Sequence, residues 1–163
     1  GLAKLSGSWA GAVHWLKAPK LGHPRLNSDM FFVLTPLARA LGLVAYCEAT
    51  GMFADIENDW RIPDQVYARP DHEIDEGLVG AAFVVELRSP GDESYAKLPF
   101  YAARGITEAM IVHRDRRFEL FRLDGGGAYQ PVEDGRSIVL GVTFTTVDGP
   151  KLRIDWVGVS AEV

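Results

Sequence analysis

The amino-acid sequence predicts an α/β or α+β domain in which helices lie against one mixed β-sheet. Three observations point to that class. The chain has 163 residues, 47% of them hydrophobic and 24% charged, which suits a single domain, residues 1–163, able to bury a sizeable core. Apolar residues recur at helical spacing before residue 42 and at strand spacing after it. The elements then alternate as helix, strands, helix and strands, an order that lays helices on a sheet.

Residues 8–18 read as a short helix ended by Pro19, with Trp9, Val13 and Leu16 on one face and Gly11 as its weak point. With it, residues 1–22 form an N-terminal helical extension. A longer helix spans residues 24–41, where Leu26, Met30, Val33, Leu34, Leu37 and Leu41 share a stripe. Pro24 suits its first turn, Gly42 its stop, and Pro36 should kink it. Residues 43–49 and 52–57 are expected as two strands joined at Thr50–Gly51, and residues 62–68 as a third. Residues 81–88 are nearly all apolar, the pattern of a central strand covered on both faces. A short helix over residues 94–104 closes at Gly105. Residues 108–113 and 117–123 alternate as a hairpin around Arg114–Arg116, Gly125–Gly127 is a loop, and the rest to Trp156 reads as short edge strands.

Composition bounds the function. No apolar run reaches the roughly 18–20 residues that a membrane-crossing helix needs, and no leader pattern stands at the start. The lone cysteine, Cys47, follows Val44, Ala45 and Tyr46, which predicts a buried thiol in a reducing cytoplasm. A net charge of −5 supplies no overall positive field for nucleic acid, so any phosphate contact must be local or aided by bound cations.

Glu86 ends a strand that is otherwise apolar, and a buried carboxylate demands a compensating cation or hydrogen-bond donors. Strand alternation puts Glu86 and Arg88 on one face and Phe83, Val85 and Leu87 on the other. An ordinary Glu86–Arg88 ion pair is the plainest account. Asp64, directly after Pro63, opens the preceding strand. Two carboxylates on adjacent strands, with a cation beside them, also make a site for Mg²⁺ or Mn²⁺, which take oxygen ligands and keep several waters. Asp71, in a second Pro-Asp pair, falls in the polar loop of residues 69–77 and is the weaker candidate.

These residues carry a resemblance. Trp60-Arg-Ile-Pro-Asp64, then Phe83-Val-Val-Glu-Leu-Arg-Ser-Pro90, then Lys97, Tyr101, Gly105 and the strand into Met110-Ile-Val112 resemble the Uma family of restriction-endonuclease-like proteins, a former domain of unknown function in the PD-(D/E)XK nuclease superfamily. The likeness is strongest over residues 60–123. It implies a restriction-endonuclease-like core, a mixed central sheet flanked by helices, and metal-dependent hydrolysis of nucleic-acid phosphodiesters. It also implies Asp64 and Glu86 as metal ligands and Lys97, from the following helix, as the residue that assists the water. The wider superfamily places a lysine two residues after the glutamate; here that slot holds Arg88, a poor base that can clamp a phosphate. Pro99 fits the first turn of a helix that starts near Ala96, which leaves Lys97 at its entrance, facing either the site or solvent. Tyr101, four residues on, shares the face of Lys97.

His23 reads first as a helix cap or an exposed side chain and second as a phosphate contact. His113, Arg114, Arg116, Arg117 and Arg122 form a basic cluster that reads first as a solvated hairpin tip; Arg114, Arg116 and Arg117 are its weak nucleic-acid candidates. Trp9, Trp15 and Trp60 belong to the core or to an interface, which is compatible with a homodimer. Two functions follow: a Mg²⁺-dependent (or Mn²⁺-dependent) nuclease acting on DNA, less readily RNA, or a catalytically inactive module of the same fold acting in self-association or protein interaction.

Overall fold

The computed structural model describes residues 3–9, 12–17, 22–47, 51–55, 59–89 and 91–163. Strands β1 (Ala3–Trp9) and β2 (Ala12–Lys17) are followed by helix α1 (Gly22–Ala40). Next come β3 (Val44–Cys47), β4 (Met52–Asp55), β5 (Asp59–Arg61), β6 (Gln65–Ala68) and two short strands, β7 (Glu73–Ile74) and β8 (Gly77–Leu78). Strand β9 (Phe83–Leu87) leads through a 3₁₀ turn, Tyr95–Lys97, into α2 (Leu98–Ala103). The chain continues through β10 (Glu108–Val112), β11 (Phe118–Leu123), β12 (Tyr129–Pro131), β13 (Thr143–Val147), β14 (Lys151–Trp156) and β15 (Val159–Glu162).

The central sheet runs β12-β11-β10-β9-β6-β3. Its β9–β10 pair is parallel and its other pairs are antiparallel, so the expected mixed sheet is present. Every residue of β9 is buried, as its apolar run predicts. On one face Phe83, Val85, Leu87, Met110 and Val112 pack with the α1 stripe Leu26, Met30, Leu34 and Ala38 and with Phe144, Leu152 and Ile154. On the other, Val84, Val66, Ala68 and Ala109 pack with Phe100 and Tyr101 of α2 and with Met52 and Leu78. Parallel strands need a crossover, and the 3₁₀ turn with α2 supplies it across this second face. Gly42, at φ 78°, ends α1, and Leu43 N–H reaches back to Ala38 O at 3.0 Å, a left-handed stop that glycine adopts without strain. Pro36 sits within α1 without ending it. Pro99 falls at the start of α2, where its missing N–H costs nothing.

Several expectations are corrected. The segment expected as a helix over residues 8–18, with its N-terminal helical extension, is instead the antiparallel pair β1–β2, which runs from Ala3↔Lys17 to Trp9↔Ala12 with a register shift between Leu5 and Ser8. Over so short a window the apolar residues fit either period, and pairing of β1 with β5 (Gly7↔Arg61, Ser8↔Trp60) settles it. The strands expected on either side of Thr50–Gly51 do not pair with each other. β3 edges the central sheet, whereas β4 joins a second sheet of order β2-β1-β5-β4-β8-β7. The third strand starts at Gln65, and residues 62–64 are the crossing from one sheet to the other. Beyond β12, the C-terminal strands build their own sheet, β13-β14-β15, rather than edging the central one. Cys47 is exposed at the end of β3, and Leu41, past the last turn of α1, is 55% exposed. Among the described residues no helix is long and apolar enough to cross a membrane.

The C-terminal sheet meets the central one tightly at Gly135, whose φ is 63°. A Cβ there would lie 2.4 Å from Phe144 O and 3.0 Å from the Phe118 ring. Gly135→Ala therefore combines backbone strain with a collision against main chain, and a loss of about 2–4 kcal/mol is expected in chemical denaturation; an unchanged midpoint would contradict this packing.

Candidate active site

Ile62, Pro63 and Asp64 connect β5 to β6, and this crossing aims the Asp64 carboxylate at β9. Its Oδ2 accepts the Leu87 N–H at 2.7 Å. The antiparallel register pairs Gln65 with Val85, so one step further Asp64 stands opposite Glu86, on the α2 face of the sheet. Asp64 is 8% exposed and Glu86 3%.

Both Glu86 oxygens are bound. Lys97 Nζ donates to Oε2 at 2.8 Å, and the Tyr101 hydroxyl donates to Oε1. Lys97 Nζ also donates to Ile62 O at 3.1 Å, which ties the 3₁₀ turn to the crossing segment. Side-chain direction makes this reach feasible: Lys97 ends the 3₁₀ turn and Tyr101 lies one helical turn later, so both descend on the same strand. The structure thus brings Asp64, Glu86, Lys97 and Tyr101 together, from β9, its neighbouring crossing and the crossover helix. Tyr101 meets Glu86 directly rather than orienting Lys97.

Burial pushes the Glu86 carboxyl up to about 7; Lys97 opposes that rise, the nearby Asp64 charge adds to it, and the hydrogen bonds from Lys97 and Tyr101 oppose it. Burial also holds the Tyr101 hydroxyl well above its ordinary range, with the Glu86 charge next in importance, so Tyr101 stays a donor.

The remaining predicted residues lie elsewhere. Glu86 pairs with Lys97, not Arg88, because β9 ends at Leu87 and Arg88 turns outward, its guanidinium 5.1 Å from the centre of the Tyr95 ring. His23 lies in the first turn of α1, and its side chain falls outside the described residues. Arg114, Arg116 and Arg117 occupy the β10–β11 hairpin tip, where Arg117 pairs with Asp115 at 2.8 Å and Arg116 donates to Arg114 O at 3.4 Å.

Two features escape the sequence reading. Arg61, 5% exposed, lies 4.8 Å over the Phe100 ring and donates to Asp59 Oδ1 at 2.7 Å, adding a cation close enough to Tyr101 to temper its rise. Only its place three residues before Asp64 could have signalled it. The second is a cluster of Tyr95, His113 and Glu119: His113 Nε2 lies 2.7 Å from Glu119 Oε1, and the Tyr95 hydroxyl donates to the same oxygen. The hairpin register, which sets Glu119 opposite Ile111, was the available clue.

Among the described residues no group of three or more His, Cys, Asp or Glu side chains is assembled to hold a metal. The donors that could contribute are the Asp64 and Glu86 carboxylates. Two hard oxygen ligands suit Mg²⁺ or Mn²⁺, which retain waters, and do not suit a closed zinc site. Burial is the main cause of the upward push on Glu86 and the Asp64 charge a lesser one. It is the chemistry of the donors, two adjacent buried carboxylates served by one lysine, that fits a divalent cation.

The mixed sheet crossed by one helix on each face is a fold shared with a putative nuclease belonging to DUF820 from Anabaena variabilis, whose crystal structure superposes with a TM-score of 0.64, at 14% identity, over 81% of this chain and 78% of that one. At that identity the likeness is one of fold. The chain belongs to the Uma2 family, described as putative restriction endonuclease, whose model matches residues 11–147. No match is found among curated protein sequences.

A pH dependence follows from Glu86. Its carboxyl titrates higher in the folded chain, about 7 against an ordinary 4.5, so the folded state binds the extra proton between those values. The stability this contributes is full below pH 4.5 and lost as pH rises through 7. In chelator, the stability of wild type relative to Glu86→Gln should fall on the order of 3 kcal/mol from acid to mildly alkaline pH. A difference that stays constant across that range refutes the assignment.

Proposed function

We propose that this protein hydrolyses phosphodiester bonds in nucleic acid, DNA before RNA, with Mg²⁺ or Mn²⁺ held by Asp64 and Glu86. The observation that carries this reading is the buried carboxylate pair formed by Asp64 of the β5–β6 crossing and Glu86 of β9, closed over by Lys97 at 2.8 Å from Glu86. A bound divalent ion would supply a more acidic water and positive charge for the phosphate oxygens.

The chain's own groups divide the remaining work. Tyr101 fixes one Glu86 oxygen and Leu87 N–H fixes one Asp64 oxygen, so both carboxylates are oriented before any ligand arrives. Lys97, held between Glu86 and Ile62 O, assists the attacking water, filling the role that the superfamily gives to a lysine nearer the glutamate. Arg88, exposed beyond the strand end, steadies a phosphate by its planar guanidinium. With a net charge of −5, such local cations replace a general positive field.

Plasmid DNA, single-stranded DNA and RNA incubated with the protein in Mn²⁺ test the proposal. Cleavage of at least one form is expected, reduced a hundredfold or more in Asp64→Asn, Glu86→Gln and Lys97→Met while circular dichroism shows them folded. Variants that cut as fast as wild type overturn the residue roles. No cleavage of any form by wild type overturns the activity and points to the non-catalytic module.

A further inference from the structure

The face that carries Glu86 continues into a second polar group. Glu86 pairs with Ile111 of β10, and Ile111 pairs with Glu119 of β11, so these three side chains project from one face. His113, two residues beyond Ile111, and Arg88, two beyond Glu86, return to that face roughly 7 Å further along the strands. There His113 Nε2 meets Glu119 Oε1 at 2.7 Å, Tyr95 donates to the same oxygen, and Arg88 lies over the Tyr95 ring. Tyr95 and Lys97 belong to one 3₁₀ turn. That turn therefore bridges two carboxylates of the same face, Glu86 through Lys97 and Glu119 through Tyr95.

The hydrogen bonds settle the histidine's chemistry. Burial alone would raise the Glu119 carboxyl, but hydrogen bonds from Tyr95 and His113 and the charges of His113 and Arg88 hold it below its ordinary range. An ionised carboxylate only accepts, so His113 Nε2 carries its hydrogen toward Glu119. Nδ1, with no hydrogen bond among the described residues, is the atom left to take or give a proton. The His113 side chain is 15% exposed, close enough to the surface for a substrate to reach it.

We propose that His113 is the proton donor to the leaving oxygen of the phosphodiester, with Glu119 and Tyr95 as its positioning residues. The inference rests on the hydrolase reading above. A water oxygen forms the new bond to phosphorus as the bond from phosphorus to the sugar oxygen breaks. The electron pair of that bond goes to the sugar oxygen, which takes the proton from His113 Nδ1. The water's proton passes to solvent, and neutral His113 regains a proton from solvent. A sugar alkoxide is a poor leaving group, and a positioned general acid is worth about 10²–10⁴-fold in such a step. p-Nitrophenolate, by contrast, leaves without needing a proton.

The test compares plasmid DNA with bis(p-nitrophenyl) phosphate, both in Mn²⁺, for wild type, His113→Gln and Glu119→Gln. His113→Gln should slow plasmid cleavage about a hundredfold or more and hydrolysis of the activated diester less than about threefold. Glu119→Gln should show the same asymmetry with a smaller loss. Equal slowing on both substrates, or no slowing on either, overturns the role of His113 while the hydrolase reading stands. If wild type hydrolyses neither compound, the hydrolase reading itself falls, and the proton donor with it.

Discussion

A carboxylate in a buried strand sets the terms for everything around it. Glu86 lies in the middle of the central sheet at 3% exposure, where an unpaired ion would cost several kcal/mol. The crossover between β9 and β10 answers that cost. Lys97 and Tyr101 arrive from the 3₁₀ turn and α2 and take one Glu86 oxygen each. Asp64 works in the opposite direction, adding negative charge across the strand pair. A buried ion pair of this kind does little better than offset its own desolvation, so stability gives no reason to assemble two carboxylates with it. The cation site proposed above would give one.

The two faces of the central sheet divide the labour. The α1 face is closed by an apolar stripe and by the C-terminal sheet, with Phe83 stacked against Phe144 at 6.4 Å between ring centres. Its buried polar contacts are internal, as where Gln65 links Asn27 and Tyr67 at 2.7 and 2.6 Å. The α2 face carries the proposed site, because alternation sends Asp64, Glu86, Glu119 and His113 to it. Glu108, wholly buried, faces the other way and holds the 137–139 segment through Ser137 Oγ at 2.6 Å and the amides of Ile138 and Val139. That clamp fixes the C-terminal sheet and leaves the α2 face to the site.

Much of this was legible where one segment decides its own structure. The run 81–88 announced a central strand, the stripe from Leu26 to Leu41 announced α1 although its last member proved exposed, and a carboxylate ending an apolar strand announced a partner. What local pattern cannot supply is the partner's identity. Alternation put Arg88 on the correct face, yet the strand stopped one residue short of it. The Asp92 side chain then organises the following turn, accepting from the amides of Ser89 and Ser94 and from the Ser94 hydroxyl, and Lys97 enters instead. The β1–β2 pair was missed because its pairing with β5 is long-range while its apolar spacing fits two periods. The Tyr95–His113–Glu119 cluster joins three segments, and no stretch of sequence contains it.

The central claim is that Asp64 and Glu86 form one divalent-cation site. Calorimetric titration of the metal-free protein with Mn²⁺, without nucleic acid, addresses it most directly, since binding is read apart from any substrate. The account predicts saturable binding in wild type that Asp64→Asn or Glu86→Gln abolishes and His113→Gln preserves. Binding that survives in both carboxylate variants, or no binding by the wild type, would contradict it.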